Sequence, residues 1–137
     1  MVEEVERLMA QNDWEAAECR SRVLMVEHPT NARLRGYLGL CLYRKQAFEE
    51  ASEHFRKAIL LQPTFWEASL KLAQCLDRLM RYEEALEAAR EAHLVHPGDP
   101  TLNVLIHGLE RQVEDKGVGA WQRTTRQHNV TMANDGS

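Results

Sequence analysis

A chain of 137 residues with 44% hydrophobic and 28% charged side chains can bury a core as one domain without disulfide or metal staples. Its net charge of −4 and isoelectric point near 5.9 leave no basic footprint, so neither nucleic acid nor an anionic membrane is expected as a partner. No run reaches the roughly 18 apolar residues of a membrane span, and the acidic start lacks a signal-peptide pattern. Three cysteines without a Cys-x-x-Cys pair suit a reducing, cytoplasmic setting.

In chain order, apolar residues at helical spacing predict a first helix over about Val2–Gln11. Asn12 and Glu15 read as a capping box for a second helix that Pro29 stops. A third helix is expected over about Asn31–Arg44, with Leu34, Leu38, Cys41 and Leu42 in phase. After a break near Lys45-Gln46, a fourth runs from about Ala47 to Leu61 and ends before Pro63. Thr64 and Glu67 form a second capping box, followed by helices over about Phe65–Arg78 and Arg81–Val95. Asp99-Pro100 then places an N-cap before a proline at the first helical position, opening a helix to about Asp115 with Leu102, Ile106, Leu109 and Val113 on one stripe. From Lys116 the apolar periodicity is lost, so 116–137 is expected to be a flexible tail, with Trp121, Arg123 and Arg126 as its conspicuous residues.

These elements repeat. Pro29, Pro63 and Pro97 lie 34 residues apart, and 13 of the 34 positions in Thr30–Pro63 are identical in Thr64–Pro97 without a gap. A fixed period of this length marks stacked helical hairpins. Shifting back one period sets Leu8 on Leu42, Trp14 on Phe48 and Ala17 on Ala51, which makes the first unit a shortened copy. Charge differs between units: residues 1–30 hold seven acids and three bases, and 31–63 hold six bases and three acids.

With Leu38-Gly39 and Leu72-Ala73 in the first helices, Phe48–Ala51 and Tyr82–Ala85 opening the second, and Ala58 or Ala92 before each proline, the chain resembles a tetratricopeptide repeat array. The resemblance implies an all-α, right-handed solenoid of antiparallel helix pairs, about seven helices, over residues 1–115. The repeats would span about 1–29, 30–63 and 64–97, with a capping helix over about 99–115. The chain departs from the usual pattern at Arg35 and Ser69, where a large apolar residue is common, and at Ala89, where an aromatic like Phe55 is common.

The same resemblance implies that first helices line a concave face. Its candidates are Arg33, Tyr37, Leu40 and Arg44, then Leu70, Lys71, Gln74 and Arg78, then Val104 and Leu105. Helical spacing separately puts Arg33, Tyr37, Leu40 and Arg44 on one stripe. Leu40, Leu70 and Leu105 also read as packing between repeats. Such a face, aliphatic and aromatic with cations, suits a peptide or helix bearing apolar anchors and some acidic groups. Arrays that grip the C-terminal carboxylate of chaperones use an asparagine pair on these stripes. This chain has none there, so that clamp is not expected.

Catalysis and cofactors are not expected either. His93 and His96 are three apart without further zinc-spaced ligands, so no metal site is anticipated. Cys41 and Cys75 fall mid-helix on packed faces, where a thiol is inert. The paired acids Glu49-Glu50 and Glu83-Glu84 sit at helix starts and favour the dipole there. Asn129-Val130-Thr131 has the form of a glycosylation acceptor, which carries no information in a cytoplasmic chain. The leading expectation is a non-enzymatic adaptor or co-chaperone-like module that holds a protein segment, as a monomer or weak homodimer. The alternative is a dedicated small chaperone like the tetratricopeptide chaperones of bacterial type III secretion, which Leu105–Gln112 loosely resembles.

Overall fold

The computed structural model describes residues 1–115. The expected tail, with Trp121, lies outside the described residues. Six helices, α1 (Val2–Ala10), α2 (Trp14–Glu27), α3 (Ala32–Arg44), α4 (Phe48–Leu61), α5 (Trp66–Arg78) and α6 (Tyr82–Val95), are followed by α7 over 100–115. From α1 to α6 each packs on its neighbour in sequence, while α1 touches α3 and α3 touches α5, and α7 joins the core through Leu102 and Leu109. The result is an all-α solenoid with an inner row (α1, α3, α5, α7) and an outer row (α2, α4, α6). Among the described residues no helix is long and apolar enough to cross a membrane.

The turn inside each pair follows one recipe. Asn12, Gln46 and Met80 have φ of 62°, 65° and 61°, again one period apart. The next amide in each turn (Asp13, Ala47, Arg81) donates back to Leu8, Leu42 or Leu76 at 2.8–2.9 Å, closing the inner helix. Left-handed backbone costs a side-chain-bearing residue about 1–2 kcal/mol, less for asparagine. At Gln46 and Met80 the geometry is therefore imposed by packing of the two helices and not by turn propensity.

Caps differ from the expectation at two places. Asn12 is the left-handed turn residue, so Asp13 caps α2 instead and accepts the Ala16 amide at 3.2 Å. Thr64 does not cap α5: Phe65 holds the N-cap position, without a side-chain bond. Asn31 and Asp99 do cap, accepting the amides of Leu34 at 3.1 Å and Leu102 at 3.2 Å.

Two packed cores run through the stack. Val5, Ala17, Leu24, Leu34 and Cys41 join the first pair to α3. Leu38, Leu42, Phe55 and Leu76 belong to the second, which Leu102 and Leu109 of α7 close. Gly39 matters here because a Cβ built on it would lie 2.8 Å from the Phe55 ring. At the matching place in the next pair, Ala73 carries a Cβ and Ala89 has no ring, and both are fully buried. Arg35 and Ser69, the other departures, are half-buried and buried respectively.

A candidate groove on the inner helices

Inner positions of α1, α3 and α5 enclose a cavity of about 420 Å³. Its floor is apolar: Gly36 and Leu40 from α3, Phe65 and Ala68 at the start of α5, and the edge of buried Phe55. Gly36 makes this possible, since a Cβ there would come within 3.1 Å of the Phe65 ring. Charge rings the floor, with Glu6 and Glu67 as acids and Arg33 and Lys71 as bases.

The two sides of this rim differ in how far they are satisfied. Tyr37 donates its hydroxyl to Glu6 Oε2 at 2.7 Å, tying α3 to α1. Burial, reinforced by that carboxylate, pushes the Tyr37 hydroxyl up to about 12, so it stays protonated as a donor. Lys71 is half-buried and has no carboxylate partner among the described residues. Its ammonium lies 5.3 Å from the centre of the Tyr43 ring, and burial holds its pKa below the usual lysine value. A partly desolvated cation without a counter-ion favours an incoming anion.

Of the ten residues proposed from the sequence, Arg33, Tyr37, Leu40 and Lys71 come together on this cavity. The other six lie elsewhere. Arg44 and Arg78 stack on aromatic residues that open the preceding outer helices: Arg44 lies 4.7 Å from the Trp14 ring and Arg78 5.1 Å from Phe48. Leu70 is buried in the main core, and Leu105 packs against it. Gln74 is half-buried with its Oε1 bonded to nothing, and Val104 is exposed on α7. Glu6 and Glu67 went unnoticed, yet the period pointed to them: Glu6 is one unit before Leu40 and Glu67 one unit after Arg33.

The two core thiols are not poised as nucleophiles. The Cys41 and Cys75 thiols are pushed up by burial to about 11 and about 12, far from a reactive thiolate. Among the described residues no three His, Cys, Asp or Glu side chains gather to hold a metal ion.

An inner row of helices enclosing a groove, built on 34-residue hairpins, is the architecture of tetratricopeptide repeat proteins. Residues 32–65 match the family model described as tetratricopeptide repeat. Solved structures agree on the fold. The Arabidopsis OM64 TPR domain superposes with a TM-score of 0.76 at 21% identity, covering 80% of this chain and 90% of that one. The first TPR of Spaghetti (RPAP3), bound to the HSP90 peptide SRMEEVD, gives 0.79 at 16% identity over 82% and 89%. The TPR2B domain of yeast Sti1, in a complex with an Hsp70 peptide, gives 0.73 at 23% identity over 80% and 92%. No curated protein matches the chain. Its fold is thus that of a tetratricopeptide repeat protein.

Proposed function

We propose that this chain is a non-catalytic interaction module that holds a short protein segment in the groove of α1, α3 and α5. The observation that carries the reading is the half-buried Lys71, which no carboxylate pairs among the described residues, beside an apolar floor opened by Gly36. It asks for a segment with one large apolar anchor and an acidic side chain close by. The acid would meet Lys71 and Arg33, and the anchor would lie over Leu40 and Phe65. Structural neighbours that grip HSP90 and HSP70 peptides support the general role. A densely acidic terminus of that sort fits less well here, because Glu6 and Glu67 put two carboxylates on the rim.

Display selection from a random peptide library, followed by fluorescence polarisation, tests this. Selected peptides should pair an aromatic or large aliphatic residue with Asp or Glu. Tyr37→Ala with Lys71→Glu should weaken them at least tenfold, and a peptide with its acid changed to Lys should regain affinity for the Lys71→Glu protein. Unchanged binding in the double variant overturns the reading.

A further inference from the structure

The two ends of the groove carry opposite charge. Glu3, Tyr37 and Lys71 occupy one and the same place on α1, α3 and α5, and Glu6, Leu40 and Gln74 occupy the place one turn further on. Across three neighbouring inner helices the surface thus passes from acid, through aromatic and aliphatic, to base and amide.

Neither end is neutralised within the chain. Glu6 is exposed and accepts the Tyr37 hydroxyl, a neutral donor, and it pairs with no cation among the described residues. At the other end burial lowers the pKa of Lys71, Arg44 pushes the same way, and no carboxylate counters them. Glu67 precedes Lys71 by one turn on the same helix, yet the two form no ion pair. Arg33 and Glu67 line the same cavity with opposite signs and add no net charge. Gln74, one turn on from Lys71, leaves its buried Oε1 unbonded, an acceptor for a backbone amide of a bound segment.

Space continues toward the acidic end. A second cavity of about 380 Å³ shares Arg33 and Gln62 with the first and reaches Val2 and Glu3 on α1. The Met1 ammonium already holds Glu3, which leaves Glu6 as the acid open to a ligand.

We propose, resting on the reading that this groove holds a protein segment, that the segment is charge-ordered. A basic residue lies on the α1 side at Glu6, a large apolar residue over Leu40 and Phe65, and an acidic residue on the α5 side at Lys71. Packed helices lie about 8–10 Å apart, so α1 and α5 stand about 16–20 Å from each other. An extended segment rises about 3.3 Å per residue, which sets its basic and acidic residues about four to six positions apart. A segment with the same sign at both ends meets repulsion at one wall, so the two walls together select for order as well as charge.

Short fluorescein-labelled peptides test this by fluorescence polarisation. Each has a central Trp in a Gly/Ser background, and its two flanking sites, about five positions apart, hold Lys and Glu, Glu and Glu, Lys and Lys, or Ala and Glu. The wild-type protein should bind the Lys/Glu peptide about threefold or more tighter than the others. Glu6→Lys should move the preference to Glu/Glu, Lys71→Glu should move it to Lys/Lys, and the double exchange should return it to Lys/Glu. Glu6→Gln keeps an acceptor for Tyr37 but removes the charge, and it should bind Lys/Glu and Ala/Glu alike. If Tyr37→Ala with Lys71→Glu weakens the peptides while Glu6→Lys leaves their ranking unchanged, the charge order is overturned and the groove reading stands. If no peptide binds better than a Trp-free control, the proposal falls together with that reading.

Discussion

In the second helix pair a glycine faces a phenylalanine, Gly39 against Phe55, where the third pair sets Ala73 against Ala89. The two units share 13 of 34 residues, yet at this contact each has changed both partners. What is kept is the filling of the gap between inner and outer helix, not either side chain. A second contrast decides where the groove lies. Gly36 leaves room above α3 for Phe65, whereas Leu70, its counterpart on α5, is buried and fills its own space. The cavity therefore opens over the second unit.

Moving side chains between the pairs should break this comparison most visibly. Phe55→Ala opens a void beside Gly39, where nothing can close it, and should cost about 3–5 kcal/mol in urea denaturation. Ala89→Phe drives a ring against the Ala73 Cβ and should cost about 1–3 kcal/mol. Adding Ala73→Gly should recover much of that loss. If the double variant is no more stable than Ala89→Phe alone, the two positions are not coupled and the volume argument fails.

The pairs also differ at His54, which the third pair replaces with Ala88. His54 is buried with its Nδ1 unbonded. Burial lowers its pKa, and Arg35 on α3, Lys57 on its own helix and Arg22 on α2 push the same way against Glu50. In the unfolded chain the imidazole takes up its proton near pH 6.5, so below that pH the unfolded state binds more protons than the folded one. Stability should fall as pH drops through and below 6.5, with no such penalty above it. His54→Ala should flatten that slope, as measured by urea midpoints between pH 5 and pH 8. An unchanged slope would show that other groups set the acid response.

The smallest effect belongs to the turns. Asn12 tolerates left-handed backbone, but Gln46 and Met80 do not prefer it. Met80 is 71% exposed, so its side chain contributes little packing. Met80→Gly should raise stability by about 0.5–1 kcal/mol, and Asn12→Gly by less. Differential scanning calorimetry can rank the two.

Helix positions were legible in the sequence because period and proline spacing depend only on the chain itself. The groove was legible in part. Arg33, Tyr37, Leu40 and Lys71 follow from one stripe repeated every 34 residues. Arg44 and Arg78 lie on that stripe too, but an aromatic ring on the preceding outer helix captures each. That capture depends on which helices become neighbours, and no local pattern encodes it. The capping boxes misled for a similar reason: the turn geometry shared by Asn12, Gln46 and Met80 fixes where α2 begins, and it overrides the Asn12–Glu15 spacing.

The stacking of Arg44 on Trp14 and of Arg78 on Phe48 links each hairpin only to the one before it. Excising residues 30–63 would bring Arg78 to Trp14 and Arg22 to Glu84, rejoining partners of the same kind. The chain can therefore gain or lose a whole unit by recombination without inventing a new junction, and its length becomes a heritable variable separate from its fold.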